Sequence, residues 1–229
     1  MISVAPSIKR KPSSIFSTEK IIQSASEGET PDILTNIYRE DTNIAIWKRQ
    51  VSSELALASS DILKINPKLQ MAKAVTPESV HSALCHALGE RDNLIALKND
   101  IVQLVDMYCC LFDIEEVGLR LSALDAAMCP RFHFDRIPCR LVTTYHGKAT
   151  EWLPHRVVDR SKLGNGNQGQ PDDKSGLFHH KNDIHRLKEG DVALLKGEKW
   201  QGNEGAGLVH RSPPVLSGEY RLLLTLDAM

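Results

Sequence analysis

The hydrophobic pattern of this chain changes period once, near Glu115, and that change limits the folds open to it. Before it, apolar residues recur at helical spacing. After it, they alternate in short runs parted by turn residues. A helical half followed by a strand half reads as an α+β protein, with helices bracing one face of an antiparallel jelly roll. In the first half, Ile44, Ile46 and Trp47 predict a short strand. Leu55, Ala58 and Ile62 in VSSELALASSDILKI predict a helix. Thr76-Pro77-Glu78 opens a second helix and Gly89 closes it. A longer one buries Leu94, Leu97, Ile101, Leu104, Val105 and Tyr108. In the second half, strands are predicted over 117–124, 131–136, 139–146, 191–196, 207–211 and 219–226. The closing EYRLLLTLD puts Arg221, Leu223 and Thr225 on one face and Leu222, Leu224 and Leu226 on the other. Residues 160–186, with GNGNQGQPDDKSG, read as a flexible loop. Residues 1–30 read as a disordered tail, 31–114 as a mainly helical region and 115–229 as a β core, with 31–229 forming one structural unit.

Charged residues make up 25% of the 229 and the formal net charge is -1, which gives no electrostatic reason to expect nucleic acid or an anionic membrane as partner. No apolar run approaches the length that crosses a bilayer. The first residues carry basic groups without an apolar stretch behind them, so a cytoplasmic protein is expected. The five cysteines, Cys85, Cys109, Cys110, Cys129 and Cys139, are odd in number and lack disulfide-framework spacing.

The chemistry concentrates in CPRFHFDRIPCRLVTTYHGKATEWLP, which holds one His-x-Asp, His133 and Asp135. Two positions apart on a strand, both side chains point to one face and can grip one ion. A lone pair of this kind has an ordinary alternative: a His and an Asp at a strand end, each hydrogen-bonded locally. His210 follows the GDVALLKGE strand, and Arg221 comes eleven residues later on the last strand. Two His and a carboxylate that leave coordination positions open are the ligand set of non-haem Fe(II) oxygenases. A planar guanidinium in the same cavity suits the far carboxylate of a 2-oxoacid.

This order resembles the double-stranded β-helix (cupin-like) oxygenases that use Fe(II) and 2-oxoglutarate. The resemblance implies His133, Asp135 and His210 as metal ligands and Arg221 at the C5 carboxylate of the cosubstrate. Tyr145 or Thr143, on one face of the strand after the His-x-Asp, would assist. A narrower resemblance rests on MCPRFHFDRIPCRLVTTYHGKATEWLP, VALLKGEKW and GLVHRSPP-x-x-SGEYRLLLTLD. These segments look like the bacterial family called domain of unknown function 1826. Genes of that family often lie beside zinc-responsive genes and metal-chaperone GTPases, which implies a link to zinc homeostasis and supplies no reaction.

Other residues carry weaker expectations. Trp152 lines the cavity as a substrate wall, or belongs to the core. One of Arg131, Arg136 and Arg140 orients Asp135, or all three are rim ion pairs. Lys196 stands at the mouth, or in a solvated turn. His179, His180 and His185 form a lid segment over the site, or a second metal site with Asp183. Cys129 and Cys139 with His133 make a thiolate zinc site at lower weight. The leading expectation is an Fe(II), 2-oxoglutarate-dependent dioxygenase acting on a small molecule or a protein side chain. The alternatives are a Zn(II)-binding accessory protein that adds His179 or His180 to the same ligands, and a metal-dependent hydrolase.

Overall fold

The computed structural model describes residues 22–228. Among these the chain forms strand β1 (Ser24–Gly28), strand β2 (Thr42–Trp47), helix α1 (Ser53–Ile65), strand β3 (Gln70–Val75), and helices α2 (Val80–Leu88) and α3 (Ile95–Phe112). It continues with β4 (Val117–Leu124), β5 (Cys139–His146), β6 (Glu151–Leu153), β7 (His185–Arg186), β8 (Val192–Lys196), β9 (Val209–Arg211) and β10 (Arg221–Ala228).

The helices start and stop where local chemistry dictates. The Ser52 hydroxyl caps α1 by accepting the Leu55 N–H at 3.2 Å, with Glu54 in the first turn and Lys64 in the last. The α2 helix begins after a turn in which Thr76 and Ser79 bond each other, and it ends at Gly89, whose φ of 80° only glycine adopts without strain. The last turn of α3 closes on Asp113 in the left-handed conformation, where the Ile114 N–H reaches the Cys109 carbonyl at 3.1 Å.

Seven described strands form one sheet in the order β1-β2-β8-β5-β10-β4-β3, and β7-β6-β9 form a second. Pairing is antiparallel except between β1 and β2. The two faces of the large sheet bury different cores, and β10 shows the division. Leu222, Leu224 and Leu226 are fully buried with α1, α2 and α3 residues such as Leu55, Leu84, Ile101 and Tyr108. Each leucine so buried contributes about 1.5–3 kcal/mol. Leu223 belongs instead to a second core, between the sheets, with Val142, Trp152, Leu195 and Leu208. The β8 run Val-Ala-Leu-Leu serves both: Val192 and Leu194 face the helices, Ala193 and Leu195 the second sheet. The predicted alternation of β10 is observed. The chain is mixed α/β around a large sheet.

Several local expectations are corrected. Residues 1–21 of the expected tail lie outside the described residues, but Ser24–Gly28, read as its end, is an edge strand. Its SASEG sequence has no apolar pattern; ladder pairing with β2 specifies it. Residues 31–114 also supply β2 and β3 to the large sheet. Residues 131–136 form no strand, only a single bridge at His133. Their carbonyls go elsewhere: Glu198 N bonds Asp135 O at 2.9 Å, and Arg131 O lies 2.9 Å from His133 Nδ1. No helix among the described residues is long and apolar enough to cross a membrane.

Candidate metal centre

His133 and His210 are bound back to back through their main chains. His133 N donates to His210 O at 3.0 Å, and His210 N donates to His133 O at 2.8 Å. Such a doubly bonded antiparallel pair carries both side chains on one face. The rings accordingly stand 4.6 Å apart at 49°. Trp152 pairs with His210 on β9, and His185 with Trp152, so the four side chains form a row across the small sheet.

Both imidazoles are oriented by carbonyls two residues back. His133 Nδ1 lies 2.9 Å from Arg131 O, and His210 Nδ1 lies 3.2 Å from Leu208 O. A carbonyl only accepts, so each Nδ1 carries the proton, which leaves Nε2 of a singly protonated ring bare. Asp135 Oδ2 stands 3.5 Å from His210 Nε2, and Asp135 Oδ1 stands 4.0 Å from His133 Nε2. Ligand atoms of all three residues fall within 4.8 Å of one another, the one such group among the described residues. Burial pushes the His210 imidazole down to about 4, against the pull of Asp135, and keeps it neutral near pH 7.

The donor set fits a divalent metal. Asp135 Oδ2 is buried and accepts no hydrogen bond. Arg140 Nη1 comes within 2.9 Å of it as an ion pair, but its N–H is not directed at the oxygen. The remaining donors of Arg140 go to Asp227 on β10, Nε to Oδ1 at 2.7 Å and Nη2 to Oδ2 at 2.8 Å. Arg140 is thus the arginine that orients Asp135. Two Nε2 atoms and a carboxylate oxygen that accepts no hydrogen bond suit Fe(II) or Zn(II) with positions left over. The Asp135 loop is held by Gly197, where a Cβ would come 2.0 Å from Ile137 O and 3.0 Å from Asp135 O.

Behind the histidines runs a ladder of charges. Glu151, buried on β6, pairs with Arg186 on β7 and at 2.8 Å with Arg211 on β9. Burial pushes the Glu151 carboxyl up, but the two guanidinium groups outweigh it and hold the group below its ordinary range. Arg211 reaches Asp172 at 3.5 Å, and Asp172 also faces Arg131 at 3.3 Å and accepts the Phe132 N–H at 2.8 Å. Loop residue Asp172 therefore ties the residue before His133 to the residue after His210. The loop around it folds into short 3-10 turns and packs Leu177 and Phe178 on Phe132, Leu153 and Val209. The PDD that contains Asp172 carries no sequence signal of this role.

Arg221 is 1% exposed at the start of β10. Its Nε donates to Lys148 O, its Nη2 reaches Thr144 Oγ1 at 3.5 Å, and its buried Nη1 has no partner. No described carboxylate lies within ion-pair distance of it. Burial pushes the guanidinium down to about 10, with Glu151 opposing. The β9 and β10 strands that carry His210 and Arg221 lie in opposite sheets and are not neighbours, because the roll closes between them. Tyr145 and Thr143, expected beside the cosubstrate, are on the other face of β5. Tyr145 packs into the helical core and donates to Asp100 Oδ2 on α3 at 2.6 Å. The register slips between Leu222 and Leu223, leaving Tyr145 as a bulge residue, and Thr144 is the hydroxyl that meets Arg221.

Arg221 lines a separate cavity with His146, Gly147 and Tyr220 and not the one beside His133 and His210, and the remaining candidates are not gathered into the site either. Trp152 packs in the core between the sheets, 4.6 Å from the His185 ring, and does not line the cavity beside His133 and His210. His185 is parted from His210 by the β6 strand. His179 and His180 are exposed with rings 6.5 Å apart, and the Asp183 carboxylate is spent on the His180 N–H. Neither joins the triad, so the fourth zinc ligand and the second metal site are not assembled. Cys139 faces the helical core, away from Cys129. Lys196 is buried and donates to Arg39 O at 2.8 Å, so it is neither at the mouth nor solvated.

No curated protein matches the chain by sequence. Among solved structures, the dioxygenase for auxin oxidation 1 from Arabidopsis thaliana, in a binary complex with 2-oxoglutarate, is similar over 90% of this chain and 92% of that one, at 9% identity and a TM-score of 0.50. An oxygenase from Shewanella oneidensis, assigned as such by its description alone, is similar over 89% of each chain at 8% identity and the same TM-score of 0.50. Likeness at such identity establishes a fold shared with these two proteins. The model of one family, described as protein of unknown function (DUF1826), matches residues 28–227. That match takes in most of the chain, which belongs to the DUF1826 family.

Proposed function

We propose that the protein is a non-haem Fe(II), 2-oxoglutarate-dependent oxygenase of the hydroxylase type. The observation that carries this reading is the convergence of two bare Nε2 atoms and a carboxylate on one point, in a fold shared with such enzymes. Fe(II), when held there, would supply the activation of O₂ that couples oxidative decarboxylation of the oxoacid to substrate oxidation.

The chain's own residues supply the rest. His133, Asp135 and His210 hold the metal on one side. Arg221, a buried guanidinium with a free Nη1, takes the C5 carboxylate of 2-oxoglutarate, with the Thr144 hydroxyl beside it. Val142, Leu195 and Leu223 line the cavity with apolar surface and exclude water from the reacting centre. The cavity lining contains no carboxylate or imidazole beyond the ligands that could serve as a general base, which disfavours the hydrolase. Residues 31–229 would act as one unit, with the helices bracing the roll from outside.

The test is anaerobic titration of the Fe(II)-loaded protein with 2-oxoglutarate, followed by the metal-to-ligand charge-transfer band in the visible. A saturable band, lost in His133→Ala with the metal and weakened in Arg221→Leu without loss of metal, supports the reading. Metal-loaded protein that gives no band would return the weight to Zn(II) binding and to the zinc-homeostasis link that the family resemblance implies.

A further inference from the structure

The cavity-side face of the large sheet carries a further arginine. Arg120 on β4 lies directly across the ladder from Thr225 on β10. Both line the cavity that contains His133 and His210. Three arginines line it in all, and two are committed. Arg140 is neutralised by Asp135 and Asp227, and Arg211 by Glu151 and Asp172. Arg120 has neither an ion-pair nor a hydrogen-bond partner among the described residues. Thr225 is 8% exposed, and its buried Oγ1 has no partner either. A cation without a counterion and a buried hydroxyl without a bond, side by side at a metal-binding cavity, call for one ligand that satisfies both.

We infer that Arg120 and Thr225 form a clamp at the cavity mouth for a carboxylate group of the substrate. Two donors, a guanidinium edge and a hydroxyl, match two carboxylate oxygens. A phosphate would bring a further oxygen against Val142, Leu195 and Leu223, which offer it nothing, while the nearby Ser122 hydroxyl is committed to Gln70 Oε1 at 2.9 Å. The clamp is distinct from Arg221. Thr225 lies four residues along β10 from Arg221, about 13 Å at strand rise. Arg221 is fully buried and Arg120 is exposed, so one suits a cosubstrate end held deep and the other a group arriving from solvent. The substrate role rests on the oxygenase reading of the metal centre; the anion clamp does not.

The test uses the full chain loaded with Zn(II) and saturating 2-oxoglutarate. Trifluoroacetate serves as the carboxylate probe, read by fluorine NMR line broadening and displaced with acetate or inorganic phosphate. The clamp predicts saturable broadening, an affinity about tenfold weaker in Arg120→Gln and about threefold weaker in Thr225→Val, with acetate the better competitor. Arg120 is exposed, so its variant keeps the fold. No saturable binding in the parent protein, unchanged binding in Arg120→Gln, or stronger displacement by phosphate would each overturn the inference. Arg120-dependent binding in a protein that gives no charge-transfer band would leave the clamp standing and remove the oxygenase. A band without Arg120-dependent binding would do the reverse.

Discussion

The carboxylate of Asp172 accepts the backbone N–H of Phe132 at 2.8 Å across forty residues of chain, one position before His133. The same oxygen lies 3.5 Å from Arg211, one position after His210. A loop residue outside the triad therefore fixes the backbone beside two candidate metal ligands at once. Asp172→Ala should leave the helical core and far-ultraviolet circular dichroism unchanged while weakening metal affinity by about tenfold or more, as loss of an outer partner does elsewhere. Co(II) titration of both proteins checks this. Equal affinities would show that the ring-to-carbonyl bonds hold the histidines by themselves.

Arg221 is a buried cation without a described carboxylate partner, so its replacement should cost little in the ligand-free protein. Arg221→Met should change the unfolding free energy by less than about 1–2 kcal/mol, since packing gained offsets bonds lost. The difference should appear with ligand. In the Zn(II)-loaded parent, 2-oxoglutarate should raise Tm, because a ligand that binds only the folded state stabilises it by mass action. In Arg221→Met that rise should vanish. A full rise in the variant would place the cosubstrate carboxylate elsewhere.

Tyr145 should matter to stability and not to cosubstrate. Its hydroxyl donates to Asp100, which also receives Arg49 at 2.6 and 2.9 Å. Burial pushes the phenol well above its ordinary range, with the Asp100 charge adding to it, so it remains a donor at any working pH. Tyr145→Phe should lower the unfolding free energy by about 1–3 kcal/mol. Its charge-transfer band with 2-oxoglutarate should match the parent's.

Acid should loosen the small sheet through Glu151. Its carboxyl titrates lower in the folded chain than in the unfolded one, where the ordinary value is about 4.3. The stabilisation from Arg186 and Arg211 is therefore fully present above that value and is lost as pH falls through the lower, folded one. Hydrogen exchange at the amides of His133 and His210 should accelerate in that acid window. Glu151→Gln should exchange faster at neutral pH and show a flatter acid response; an unaltered acid response would assign the effect to another carboxylate.

By itself the sequence determined much of this protein. The alternation of β4, β5 and β10 follows from period-two patterning, and the His-x-Asp with a distal His singles out the three side chains that converge, because those signals are local or count along the chain. Period two gives parity, however, and not which parity faces the site. On β10 the odd positions face the cavity, whereas on β5 the even ones do. Both faces of β5 are buried and apolar, Leu141 and Tyr145 on one, Val142 and Thr144 on the other, so polarity could not separate them. Thr143 and Tyr145 were thus expected where Thr144 stands. Asp172, Arg140 and Arg120 acquired their places only in three dimensions, since an ion pair or a missing one depends on which strands the fold brings together, and no spacing along the chain encodes that.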